Sequence, residues 1–146
     1  MLKIPIDILV VDDERDFVDM LCMRLTDAGH RARAAYDGDA GLAALAEAEP
    51  DVVVLDIRMP GKDGITVLKL IKAAHPIVEV ILLTGHGTID TAVEGLKAGA
   101  FDYVQKPAPF DELLAKLSAA RLRKAEHEER IRRAEARALV RSSGDV

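Results

Sequence analysis

The sequence predicts an α/β fold: a doubly wound sheet of five parallel strands, order 2-1-3-4-5, with five helices. Three observations carry that expectation. Residues 6–11, 52–55 and 77–83 are almost continuous in Ile, Val and Leu, as strands buried on both faces are. Segments of helical period lie between them, and strands alternating with helices imply a parallel sheet with right-handed crossovers. Five such units fit into roughly 120 residues, and order 2-1-3-4-5 puts a crevice at the carboxyl ends of the first and third strands.

Each element has its own signal. The first strand covers residues 6–11. The first helix shows Phe17, Val18, Leu21, Cys22 and Leu25 on one face and ends at Gly29. Residues 31–36 form a weaker strand whose apolar positions are only Ala32, Ala34 and Ala35, which suits a polar edge. An Ala-rich helix from Gly38 to Glu49 stops at Pro50. The third strand, residues 52–55, leads to a helix after Asp63 with Val67, Leu68 and Ile71 inward, stopping before Pro76. The fourth strand is residues 77–83. In the next helix Ile89, Ala92, Val93 and Leu96 recur at i, i+3, i+4 and i+7. A short strand at residues 101–104 precedes a fifth helix starting near Phe110 with Leu113, Leu114 and Leu117 inward.

The chain of 146 residues holds one domain, residues 1–120, and an appendage, residues 121–146. The net charge of −5 divides unevenly. Residues 121–146 hold eight basic and five acidic side chains, a net of +3, leaving −8 for residues 1–120. Glu126–Arg130, Glu128–Arg132 and Glu129–Arg133 are i,i+4 pairs with Glu first, the favoured order on a helix. The appendage therefore reads as a charged extension of the fifth helix, frayed before Ser142. Its apolar residues sustain no heptad stripe. Net acidity and only five aromatic residues argue against a nucleic-acid binder. The single Cys22 suits a reducing, cytoplasmic compartment. The longest apolar runs fall far short of the ~20 residues that span a membrane.

The chemistry gathers at the strand ends. The first strand ends in Asp12-Asp13, the third in Asp56, the fourth in Thr84-Gly85, and the fifth is followed by Lys106-Pro107. In a doubly wound sheet these ends converge. Taken singly, Asp12 or Asp13 suits a helix cap, Asp56 a turn, Thr84 a strand-end hydroxyl and Lys106 a solvated loop. Together they describe a phosphoryl site. Three carboxylates repel unless a hard cation such as Mg²⁺ sits among them, Lys106 adds a fixed positive charge, and the central carboxylate, Asp56, is placed to attack phosphorus.

These segments resemble the receiver domain of two-component response regulators. The resemblance rests on Val10-Val11-Asp12-Asp13-Glu14, on the run from Leu55 to Gly64, on Leu83-Thr84-Gly85 and on Lys106-Pro107, and it covers about residues 5–120. It implies a flavodoxin-like fold in which Asp56 is the phosphoacceptor, taking its phosphoryl group from a sensor histidine kinase or a histidine phosphotransfer protein. It further implies that Asp12, Asp13, Asp56 and the backbone carbonyl of Arg58 hold Mg²⁺, that Thr84 and Lys106 bind phosphoryl oxygens, that Thr84 and Tyr103 form the switch, and that the Lys106–Pro107 bond is cis. The stretch from Leu83 to Pro107 is most similar to receivers of nitrogen-regulation type activators. No output domain is evident in these 146 residues, so a transcriptional role is not expected of them alone. The alternatives are the receiver piece of a larger transcription regulator or an Asp-nucleophile phosphatase. Against the last, the runs Asp12-Asp13-Glu14 and Asp56-Ile57-Arg58 lack the Asp-x-Asp such enzymes carry. The Ala- and Arg-rich second strand, and Ala108 where a larger apolar residue is commoner, depart from the family pattern.

Further expectations concern partners and dynamics. The fourth helix, fifth strand and fifth helix offer a surface for a target or a homodimer. Met20 and Met23 on the first helix are candidates for docking the phosphodonor. Gly95 marks the fourth helix as marginal, or as closely packed on a neighbour. Arg58 and His86, each two residues beyond a site residue, are candidates for tuning hydrolysis. The four histidines share no metal-ligand spacing.

Overall fold

The computed structural model describes residues 4–85 and 89–144. Five parallel strands, β1 (Asp7–Val11), β2 (Arg31–Ala35), β3 (Val52–Asp56), β4 (Glu79–Thr84) and β5 (Asp102–Gln105), form one sheet in the order β2-β1-β3-β4-β5. The helices are α1 (Arg15–Asp27), α2 (Gly38–Glu47), α3 (Gly64–Ala74), α4 (Ile89–Lys97) and α5 (Phe110–Gly144). Strand limits differ from the sequence reading by one or two residues, the usual uncertainty where a strand runs into a turn.

The continuous apolar runs are buried on both faces because helices cover both. Leu9, Val11, Val53, Leu55, Val80 and Leu82 face α2, α3 and α4, meeting Leu45, Val67, Leu68 and Ile71. Their alternates Ile8, Val10, Val52, Val54, Ile81 and Leu83 face α1 and α5, meeting Val18, Leu21, Leu25, Leu113 and Leu117. The polar β2 is the sheet edge. Arg33 there is not idle: its guanidinium donates to the carbonyls of Ala44 (3.1 Å) and Ala48 (2.6 Å) at the end of α2, where helix carbonyls run short of backbone donors; the Ala44 carbonyl also accepts from Ala48 N–H at 3.1 Å.

The last two helices add what periodicity alone does not give. In α4 only Ala92 and Gly95 are buried, while Ile89, Val93 and Leu96 are exposed. The reason is Gly95, where a Cβ would run into Leu82 Cδ1 and lie 3.2 Å from Ile65 Cδ1. Small residues let the helix backbone settle onto the sheet and turn the larger side chains outward. Gly95 thus serves close packing. Helix α5 runs to Gly144 as one helix of 35 residues, about 52 Å long at 1.5 Å per residue. Ala, Leu, Arg and Glu carry its helical propensity to that point, and Glu129 pairs with Arg132 and Arg133. Glu128 turns back to Lys124, and Arg130 meets His127 instead of Glu126.

Candidate functional site

Strand register builds the site. Val11 pairs with Leu55, Asp56 with Leu83, and Thr84 with Gln105. The residues just beyond or at those pairs, Asp12, Asp56, Thr84 and Lys106, are therefore carried to one end of the sheet. The β3–α3 loop closes tightly beside Asp56: a Cβ on Gly64 would collide with the Asp56 carbonyl oxygen and with Ile57 Cα. The Ile57 carbonyl accepts from Gly64 N–H at 2.8 Å.

Asp12, Asp13 and Asp56 each offer a carboxylate oxygen, and these oxygens lie within 4.8 Å of one another. Asp12 is fully buried and Asp56 nearly so, while Asp13 is exposed. Asp12 does not cap α1. The N-cap is Glu14, without a side-chain cap bond; Asp12 Oδ1 instead accepts from Glu14 N–H at 3.0 Å, fixing the turn. Its Oδ2 takes Lys106 Nζ at 2.7 Å. Lys106 also meets Glu14 at 3.1 Å and Asp56 at 3.9 Å, and its ammonium lies 4.7 Å from the centre of the Phe17 ring. The Glu14 and Phe17 contacts have no sequence signal beyond their place in the loop and first turn. The Lys106–Pro107 bond is cis, and Lys106 N–H donates to the Thr84 carbonyl at 2.6 Å.

Electrostatics mark the cluster as incomplete in itself. Burial, and then the negative charge of Asp12, push the Asp56 carboxyl up to about 7 against the opposing pull of Lys106 and the Arg58 N–H. That N–H donates to Asp56 Oδ1 at 3.3 Å. Burial works against the charge of Lys106, but Asp12, Asp56 and Glu14 outweigh it and hold its pKa above the ordinary value. The Thr84 hydroxyl is buried with no hydrogen-bond partner, an arrangement that costs stability unless a ligand completes it. The donor set is all oxygen, which fits a hard cation such as Mg²⁺.

The remaining candidates lie around this centre. Tyr103 is half-buried in β5 beside the α3–α4 layer, and Lys116 of α5 donates to its carbonyl at 2.8 Å. Arg58 lines a groove of about 620 Å³ with residues of α3 and α4. Met20 lines a second, about 510 Å³, with Phe17, Lys106 and Pro107. Met23, 67% exposed, is not among its lining residues. His86 lies outside the described residues. Among the described residues no helix is long and apolar enough to cross a membrane.

Comparison with known proteins agrees with this geometry. The family model described as "Response regulator receiver domain" matches residues 8–118. The nitrogen assimilation regulatory protein NtrX of Azorhizobium caulinodans is 44% identical over 110 residues, 74% of this chain and 24% of that protein. The DNA-binding transcriptional regulator NtrC of Salmonella typhimurium is 44% identical over 111 residues, 76% of this chain and 24% of that protein. The crystal structure of the receiver domain of NtrX from Brucella abortus superposes with a TM-score of 0.75 at 43% identity, covering 78% of this chain and 97% of that one. The chain thus spans about a quarter of the length of the curated relatives it matches.

Proposed function

The chain belongs to the response regulator receiver domain family, of the NtrX and NtrC type, and from that premise we propose that Asp56 is the phosphoacceptor of a two-component signalling switch. One observation carries the proposal: three carboxylates whose oxygens lie within 4.8 Å, beside an ammonium and an unpartnered buried hydroxyl. A free carboxylate of Asp56 attacks the phosphorus of a phosphohistidine on a sensor histidine kinase or a phosphotransfer protein. The new bond joins an Asp56 oxygen to phosphorus, the phosphorus–nitrogen bond breaks, and the departing imidazole takes up a proton. The product is an aspartyl phosphate.

Asp12, Asp13, Asp56 and the Arg58 carbonyl are the residues that would hold Mg²⁺, and the charge it would supply there would offset the phosphoryl oxygens and favour the ionised form of Asp56. Lys106 supplies a second positive charge and leaves its Asp12 contact only partly to do so. The Thr84 hydroxyl gains its missing partner in a phosphoryl oxygen. Movement of Thr84 then frees space that Tyr103 follows, and the exposed apolar face of α4 changes its surroundings. That face, Ile89, Val93 and Leu96, together with β5 and α5, is the proposed surface for a target or for a homodimer.

The phosphodonor docks over the groove containing Met20, with the exposed Met23 of the same helix as a further contact. Water attack on phosphorus returns Asp56 to its free state, so the chain assists its own dephosphorylation, with Arg58 beside the entry route. Residues 1–120 are the receiver and 121–146 its charged helical extension. The net charge of −8 over residues 1–120 supports partners that are proteins rather than nucleic acid, and a cytoplasmic location follows from that of the kinase's phosphorylated histidine. The relatives' names favour a second reading, in which this switch is the receiver piece of a longer transcription regulator.

Steady-state assay separates the switch from a phosphatase. With Mg²⁺ and an excess of small acyl phosphate, the chain should hold one phosphoryl group and release phosphate slowly, at the rate of its own decay. Rapid turnover of simple phosphoesters such as p-nitrophenyl phosphate would contradict the proposal.

A further inference from the structure

At the end of the sheet opposite the carboxylate site, α5 passes a second set of charges. Asp51 immediately precedes β3, and Glu79 opens β4; Glu79 N–H donates to the Asp51 carbonyl at 3.3 Å. Both acidic side chains reach basic residues of α5. Asp51 Oδ1 lies 3.2 Å from Lys124 Nζ, and Glu79 Oε2 lies 3.5 Å from Arg123 Nε. The Glu79 side chain is only 4% exposed and that of Lys124 only 11%. A charge so far from water is costly unless paired, so Glu79 and Lys124 need their partners, while Arg123 is 54% exposed and Asp51 24%.

The apolar face of α5 has ended by this point. Ala120 is fully buried, whereas Leu122 is 60% exposed. Among the described residues beyond Ala120 no apolar side chain is buried; the contacts to the sheet there are made by the charged side chains of α5, Arg123 also lying over the Phe101 ring at 5.7 Å. The Asp51 carboxylate is itself fixed, because its Oδ2 accepts from Asp7 N–H at 2.9 Å. Glu79 is fixed from the other side by Lys72 Nζ at 3.5 Å, which also donates to the Val78 carbonyl at 2.9 Å. The acidic half is thus anchored in the sheet and the basic half rides on the helix.

We infer that Asp51 and Glu79 form a charge clamp on Arg123 and Lys124 that fixes the direction in which residues 125–144 leave the sheet. The clamp holds the heads of β3 and β4, the two strands whose opposite ends carry Asp56 and Thr84. The projecting helix is therefore mounted on the strands that bear the site, not on a loose joint. Nothing in this inference depends on whether Asp56 is phosphorylated.

The test uses the full chain with Cys22→Ser, spin labels at Lys69→Cys and Arg137→Cys, and the distribution of distances between them. The clamped chain gives one narrow distribution. Lys124→Met combined with Arg123→Met keeps the side-chain stems, removes the charges, and should broaden the distribution. The same change should speed amide hydrogen exchange at residues 121–128 by about tenfold and leave residues 110–117 unchanged. Glu128→Gln, which breaks the i,i+4 contact to Lys124 but not the clamp, should leave the width as it was. Equal widths and equal exchange with and without the clamp charges would overturn the inference, and so would equal broadening by Glu128→Gln.

Discussion

Lys106 binds Asp12 more closely than Asp56: its Nζ stands 2.7 Å from Asp12 Oδ2 and 3.9 Å from Asp56 Oδ2. The lysine is thus the counter-ion of a fully buried carboxylate, and its reach toward Asp56 is a secondary contact. One ammonium does not offset the three clustered carboxylates, so the site keeps an excess of negative charge for a cation to neutralise.

Lys106→Met tests this balance. Methionine keeps the stem over Phe17 but leaves Asp12 buried without its ion pair, and breaking a buried pair costs about 3–5 kcal/mol. Thermal unfolding without divalent cation should show that loss, and saturating Mg²⁺ should recover much of it. A loss that is the same with and without Mg²⁺ would show that Lys106 does not balance the metal site.

Stability should also depend on pH through Asp56. The folded state holds this carboxyl up at about 7, against 3.8 for an ordinary aspartate. Folding therefore favours the protonated form, and its contribution is lost as pH rises from about 4 to about 7. Metal-free Asp56→Asn should be more stable than the parent by about 1–3 kcal/mol at pH 8, with a smaller gain at pH 4.5. Mg²⁺ should narrow the gain at pH 8. Urea unfolding at the two pH values checks the sign, and a gain that grows toward low pH would refute it.

Gly95→Ala distinguishes a packed helix from a marginal one. In an exposed helix the change stabilises by about 1 kcal/mol. Here the added Cβ meets Leu82 Cδ1 and Ile65 Cδ1, and overpacking should cost about 1–3 kcal/mol. A rise in the urea midpoint would mean that α4 does not sit as closely on β4 as the geometry has it.

The outward face of α4 gives a separable prediction. Val93 is 42% exposed, so Val93→Lys should change folding stability by less than about 0.5 kcal/mol. If this face joins two phosphorylated chains, the same substitution should abolish phosphorylation-dependent dimerisation in sedimentation velocity. Dimers that survive it would place the interface elsewhere.

What was legible in the sequence, and what was not, follows the range of the interactions. Continuous runs such as residues 52–55 announce burial on both faces, because period and composition are local properties. The polar residues ending those runs could be brought together on paper, since parallel topology leaves few places for them to go. The burial of α4 is not legible in its periodicity, which names an apolar face, whereas Gly95 and Ala92 decide which residues touch the sheet. The clamp was invisible for another reason. Lys124 and Asp51 are 73 residues apart, and no spacing rule links a strand head to a helix tail. The one available sign was Glu79, an acidic residue opening an otherwise apolar strand.

The central claim is that Asp56 is the phosphoacceptor, and intact mass spectrometry tests it most directly. After incubation with Mg²⁺ and a small acyl phosphate, the chain should gain the mass of one phosphoryl group. Asp56→Asn should gain none under the same conditions. Equal modification of the parent and Asp56→Asn, or none of the parent, would contradict the account.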